Sequence, residues 1–128
     1  LHPRTDAALR EAGLRSRLDH ENLRVTEPLP YVQTLAAARF ARHVVTDSGG
    51  LQKEAFYMGT PCTTLREATE WPELVDLGWN RLVGLDPEQA LASMARPDPP
   101  ETSERPYGNG DAAEKVARRL LEVLSEGR

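Results

Sequence analysis

Short β-branched runs alternate with segments of helical period along most of this chain, and that alternation restricts the fold more than any other feature. The runs are Asn22–Thr26 (NLRVT), His43–Thr46 (HVVT), Pro61–Leu65 (PCTTL) and Asn80–Val83 (NRLV). Each has the length and the flanking turn residues of a buried strand. Between them the period changes to that of a helix. Thr5–Ala12 stops at Gly13, Pro30–Arg42 is alanine-rich, and Ser48–Met58 ends at Gly59 with Pro61 beyond. Asp86-Pro87-Glu88 reads as an N-cap, a proline at the first helical position and an acid against the dipole. Asp111 with Glu114 reads as a capping box. The helix after it sets Ala113, Val116, Ala117, Leu120, Leu121 and Leu124 on one stripe. Pro72–Leu77 reads as a short helical turn, and the proline-rich Arg96–Gly110 as a surface crossover.

Strands alternating with helices predict a doubly wound α/β fold, a Rossmann-like parallel sheet covered on both faces. His43–Thr46 is expected at its centre, and Leu1-His2 as the tail of an earlier strand. The 128 residues make one domain that needs no disulfide or metal. A chain that starts without Met, in what reads as the middle of an element, is expected to be part of a longer polypeptide.

Composition removes several classes of function. A net charge of −4 argues against a protein that coats nucleic acid, while leaving room for a local anion pocket. One cysteine excludes an internal disulfide and the multi-cysteine zinc signatures. Three histidines without close spacing make a metal site unexpected. No apolar run approaches the roughly 20 residues of a membrane span, and Leu1–Arg4 is no signal peptide. The expectation is a soluble cytoplasmic domain that uses neither membrane nor nucleic acid.

In such a sheet ligands bind beyond the carboxyl ends of the strands. The segments expected there hold most of the polar residues of interest. The sharpest is Thr46-Asp47-Ser48-Gly49-Gly50-Leu51-Gln52-Lys53-Glu54, a strand running through Ser-Gly-Gly into a helix. Free N–H groups at a helix start, with glycines that permit close approach, suit a phosphate or diphosphate. A plain serine cap with packing glycines accounts for the same residues equally well. Glu54 falls one turn deeper on the face of Gly50. A carboxylate there repels phosphate but can accept from a ribose diol; otherwise it is a solvated charge.

The second segment is Leu65-Arg66-Glu67-Ala68-Thr69-Glu70-Trp71-Pro72-Glu73. Arg66 can neutralise phosphate or pair with Glu67 or Glu70, and Trp71 reads as a packing residue. His2 is expected at a strand end facing the cleft, His20 and His43 at the surface or a strand edge. Cys62 is expected to be buried and inert. Gly108-Asn109-Gly110 reads as a turn, with a small anion site as the less favoured alternative.

Read together, HPRT at 2–5, EPLPY at 27–31, TDSGGLQKEA at 46–55, LREATEWPE at 65–73, GWNRLVG at 78–84 and PYGNGDA at 106–112 resemble one family. It is the bacterial non-hydrolysing UDP-N-acetylglucosamine 2-epimerases. The resemblance implies the C-terminal half of a GT-B-type enzyme, two Rossmann-like halves with the nucleotide sugar between them. It implies that Ser48, Gly49 and Gly50 hold the diphosphate and that Glu54 binds the ribose hydroxyls. Leu29 would meet the uracil, and His2 would face the cleft. The implied chemistry is anti elimination of UDP and its re-addition to the other face of the glycal, without metal or nicotinamide. Proton transfer at C2 would belong to carboxylates of the missing N-terminal half, so no catalytic residue is expected in these 128 and the chain alone is expected to be inactive. The resemblance also implies a homodimer.

Two positions depart from the family pattern. Trp71 stands where arginine is usual, and Thr34 where an aromatic residue is usual. Both suit a variant acting on a modified UDP-sugar. Two other readings stay open on the residues alone: the donor half of a GT-B glycosyltransferase, and a non-catalytic nucleotide-binding domain.

Overall fold

A computed structural model describes residues 1–126. The elements are α1 (Pro3–Glu11), a 3-10 turn (Arg15–Leu18), α2 (Tyr31–Phe40), β1 (Val44–Thr46), α3 (Gly49–Met58), β2 (Cys62–Thr64), α4 (Pro72–Asp76), β3 (Asn80–Leu82), α5 (Pro87–Met94) and α6 (Ala112–Glu126). The strands form one parallel sheet in the order β1-β2-β3, with Val44, Cys62 and Asn80 in register.

Local signals in the sequence set the helix ends. Ser48 caps α3, and Gly59 closes it in the left-handed region at φ 73°, where a side chain would be strained. The Asp86 carboxylate accepts from the amides of Glu88 and Gln89 while Pro87 opens α5. The capping box expected at Asp111 does not form between its own residues. Salt pairing takes their carboxylates instead: Asp111 reaches Lys115 at 3.0 Å and Glu114 reaches Arg118 at 2.8 Å.

All three residues of β2 are buried, which requires cover on both faces. Cys62 packs with Ala38 of α2 and Ala55 of α3, flanked by Leu51 and Met58. On the other face the Thr63 hydroxyl meets Ser93 of α5 at 2.7 Å. The sheet is therefore doubly wound, but its centre is β2.

That corrects the expected place of His43–Thr46, whose strand β1 lies at the edge of the sheet. The cause is Asn22–Thr26, which forms no strand and leaves β1 without a second neighbour. Leu23 and Val25 stay exposed, and α1, which precedes that run, buries none of its residues. An alternating run gains little from pairing when nothing covers its apolar side. Leu1-His2 is not strand either: the Leu1 amino group donates to the Thr26 carbonyl, and His2 caps α1. On α6 the stripe forms, but Val116, Leu120, Leu121 and Leu124 lie exposed along it. No described helix is long and apolar enough to cross a membrane.

The interior is polar to an unusual degree. Among its largest fully buried side chains only Leu74 and Cys62 are apolar, beside Gln52, Asn80, Thr60, Thr63, Thr64 and Ser93. These groups are joined to one another. Gln52 Oε1 accepts from Asn80 Nδ2 at 2.9 Å and from the Thr69 hydroxyl at 2.6 Å. Its Nε2 donates to the Ser48 carbonyl at 3.3 Å. Asn80 Oδ1 accepts from Thr64 at 2.8 Å. A buried polar network is favourable only when its members find partners, and this one ties α3, β2, β3 and the loop after β2 into one block.

Candidate functional site

The chain leaves β1 and turns at once into α3. Thr46 Oγ1 accepts from the Ser48 amide at 3.0 Å, which fixes the exit from the strand. Ser48 is extended, at φ −78° and ψ 126°, and its hydroxyl accepts from the Leu51 amide at a long 3.5 Å. Gly49 and Gly50 are the first two residues of the helix, so their N–H groups have no carbonyl one turn back to donate to. The positive end of the helix dipole adds to these donors.

The two glycines differ in what surrounds them. A Cβ on Gly49 would stand 3.3 Å from Glu70 Oε2 and 3.9 Å from Arg66 Nη1, a tight approach that glycine leaves open. A Cβ on Gly50 would stand 4.0 Å from Glu54 Oε1. Glu54 thus lies where the helical spacing predicts, one turn deeper on the face of Gly50, and it is half-buried.

The loop after β2 folds over this turn. Of the pairings open to Arg66, the one formed is with Glu70, bidentate at 3.1 and 2.9 Å. The guanidinium holds the Glu70 carboxyl below the usual carboxylate range. Trp71 does more than pack: its indole N–H donates to the Gly49 carbonyl at 2.8 Å, bracing the first turn of α3. Lys53 Nζ sits 3.9 Å from the centre of the same ring, a cation–π contact. Tyr107 stands edge-on to Trp71 at 5.4 Å, which brings the proline-rich crossover back to the site. Burial and the Glu73 carboxylate push the Tyr107 phenol up to about 12.

Five of the predicted residues, Ser48, Gly49, Gly50, Glu54 and Arg66, therefore share one turn and its cover. His2 and Leu29 do not join them directly. His2 is exposed, and its Nδ1 accepts from the Arg4 amide as the cap of α1. Leu29, ahead of α2, offers its carbonyl to the Thr34 hydroxyl at 3.4 Å. Among the described residues neither shares a hydrogen bond with the Ser48–Gly50 turn.

His20 is exposed, while the His43 ring reaches the Thr63 hydroxyl at 2.7 Å. Burial and then the Arg96 and Arg42 charges lower the His43 pKa. Cys62 is 1% exposed, and burial pushes its thiol up to about 11, so it is inert at neutral pH. Gly108-Asn109-Gly110 is a turn with φ of 81° and 85° at its glycines. Among the described residues no group of three or more His, Cys, Asp or Glu is placed to hold a metal. Sequence reasoning passed over Gln52, Thr69, Lys53 and Tyr107. A signal existed for Gln52, a polar residue at helical spacing from the buried Ala55 and Phe56.

Comparison with known proteins gives the family and the fold of the chain. The profile of the family described as UDP-N-acetylglucosamine 2-epimerase matches residues 1–121. A UDP-N-acetylglucosamine 2-epimerase homolog of Methanococcus maripaludis is 37% identical over 122 residues, 94% of this chain and 34% of its own length. The UDP-2,3-diacetamido-2,3-dideoxy-D-glucuronate 2-epimerase of Pseudomonas aeruginosa is 37% identical over 126 residues, 96% of this chain and 34% of its own. Among solved structures, the Methanocaldococcus jannaschii UDP-GlcNAc 2-epimerase in complex with UDP-GlcNAc and UDP superposes with a TM-score of 0.81 at 35% identity. That match covers 94% of this chain and 34% of the other. The chain thus spans about a third of the length of the relatives it matches. With the profile covering nearly all of it, the chain belongs to the UDP-N-acetylglucosamine 2-epimerase family.

Proposed function

We propose that residues 1–128 form the UDP-binding domain of a two-domain UDP-sugar 2-epimerase. The observation that carries this reading is the first turn of α3, where Arg66 Nη1 lies 3.9 Å from the Cβ position of Gly49 and Glu54 Oε1 lies 4.0 Å from that of Gly50. Such a sequence of donors, cation and acceptor matches the order of groups in a nucleoside diphosphate. Ser48, Gly49, Gly50 and Arg66 would hold the diphosphate, and Glu54 the ribose hydroxyls. Leu29 would border the uracil, and His2 would face the sugar from the end of α1. The substrate is UDP-N-acetylglucosamine or a related UDP-sugar, an assignment supported by the names of the relatives. A cytoplasmic location, a role in making cell-surface polysaccharide precursors and pairing into a homodimer belong to the same proposal.

The reaction would break the bond between C1 and UDP as the C2 proton leaves, giving a glycal, then return UDP to the original face of C1 and a proton to the opposite face of C2. The residues described supply the grip on the leaving diphosphate. The resemblance assigns the groups that move the C2 proton to the other domain, and such a transfer needs a side chain within about 3 Å of that proton. Titration calorimetry with UDP, UMP and ADP tests the binding half of the proposal. UDP is expected to bind at least about tenfold more tightly than ADP, and equal affinities would discard the uridine assignment. The catalytic half makes a second prediction. Incubated with UDP-N-acetylglucosamine in deuterated water, the isolated chain is expected to place no deuterium at C2; incorporation would mean that it carries the acid and base itself.

A further inference from the structure

The start of α3 already faces an anion of the protein's own. Glu70 lays its carboxylate against the first turn, with Oε2 3.3 Å from where a Cβ on Gly49 would stand. Both its oxygens are held by the Arg66 fork. The guanidinium and the helix start, the two features that would draw a diphosphate, thus converge on one carboxylate. Their exposures differ in a useful way: the Glu70 side chain is 55% exposed and the Arg66 side chain 37%. Glu70 is the more exposed partner and the freer of the two to swing into water. A phosphate oxygen pair satisfies the same guanidinium fork as a carboxylate, so one anion can replace the other without moving the arginine.

We propose that Glu70 is an internal competitor for the diphosphate: it holds Arg66 in place in the free protein and is displaced when the diphosphate binds. The inference rests on the diphosphate reading of Ser48–Gly50 given above. An inorganic phosphate carries less charge and reaches fewer donors than a diphosphate, so it is the weaker rival to the built-in carboxylate. Glu70 acts through Arg66 and is a positioning residue.

The test is a set of titrations of the full chain with pyrophosphate and with inorganic phosphate. Glu70→Gln is expected to bind pyrophosphate about 5- to 50-fold more tightly than the unmodified chain, because a negative charge leaves the site and the fork is freed. Glu70→Ala should repeat the gain. Inorganic phosphate, with its lower charge, should gain no more than pyrophosphate. In an Arg66→Ala background the gain from Glu70→Gln should shrink, a coupling that a merely structural glutamate would not produce. Unchanged or weaker pyrophosphate binding by folded Glu70→Gln overturns the proposal. Failure of every folded variant to bind pyrophosphate overturns the diphosphate reading as well. If Glu70→Gln tightens pyrophosphate but the uridine moiety adds nothing, the competitor stands and the UDP assignment falls.

Discussion

Replacing Gln52 by leucine is expected to cost about 2–5 kcal/mol of stability. The leucine fills a similar volume, so the loss isolates hydrogen bonding from cavity formation. Gln52 is completely buried, and its Oε1 accepts two hydrogen bonds, from Asn80 and Thr69. Without it the Asn80 amide and the Thr69 hydroxyl keep their desolvation and lose their acceptor. For a domain of this size the change corresponds to a melting temperature lower by roughly 10 °C. The damage should also reach the site, because Thr69 accepts from the Trp71 amide and the Trp71 indole braces Gly49. A drop of less than about 2 °C would show that the network contributes little.

Glu54→Ala is expected to separate two ligands that the proposed diphosphate site would bind at the same turn. UDP should bind about 10- to 150-fold more weakly, the equivalent of losing hydrogen bonds to a charged acceptor worth roughly 1.5–3 kcal/mol. Pyrophosphate has no ribose, so its affinity should hold or rise slightly as a nearby negative charge is removed. The geometry sets this contrast: Glu54 Oε1 comes within 4.0 Å of the Cβ position of Gly50 while lying one turn below the free amides. Parallel losses for both ligands would indicate a damaged helix. No loss for either would remove Glu54 from the site.

What the sequence made legible was the part that short-range chemistry decides. Ser48, Asp86-Pro87 and Gly59 mark helix ends by local geometry, and all appear where their patterns place them. The spacing from Gly50 to Glu54 is a property of any helix and needed no tertiary information. Strand order was not legible in the same way. His43–Thr46 is the β-branched run that leads into the glycine turn, yet β1 lies at the edge because pairing depends on what Asn22–Thr26 does elsewhere. The network was hidden for a related reason. Thr64 and Asn80 read as strand residues, and only the pairing of β2 with β3 shows that their polar groups face one another. At Trp71 the departure from the family pattern was visible, but not that its indole N–H would hold the Gly49 carbonyl.

The polar interior has a thermal consequence. Exposing apolar surface raises the heat capacity of an unfolding chain and exposing polar surface lowers it. A core in which Gln52, Asn80, Ser93 and four threonines match the buried apolar residues in number should therefore unfold with a heat-capacity increment below the usual ~12–15 cal/mol/K per residue. A smaller increment flattens the dependence of stability on temperature. Whatever margin of stability this domain has at 25 °C would then change comparatively little on cooling, and its cold limit would move further below freezing.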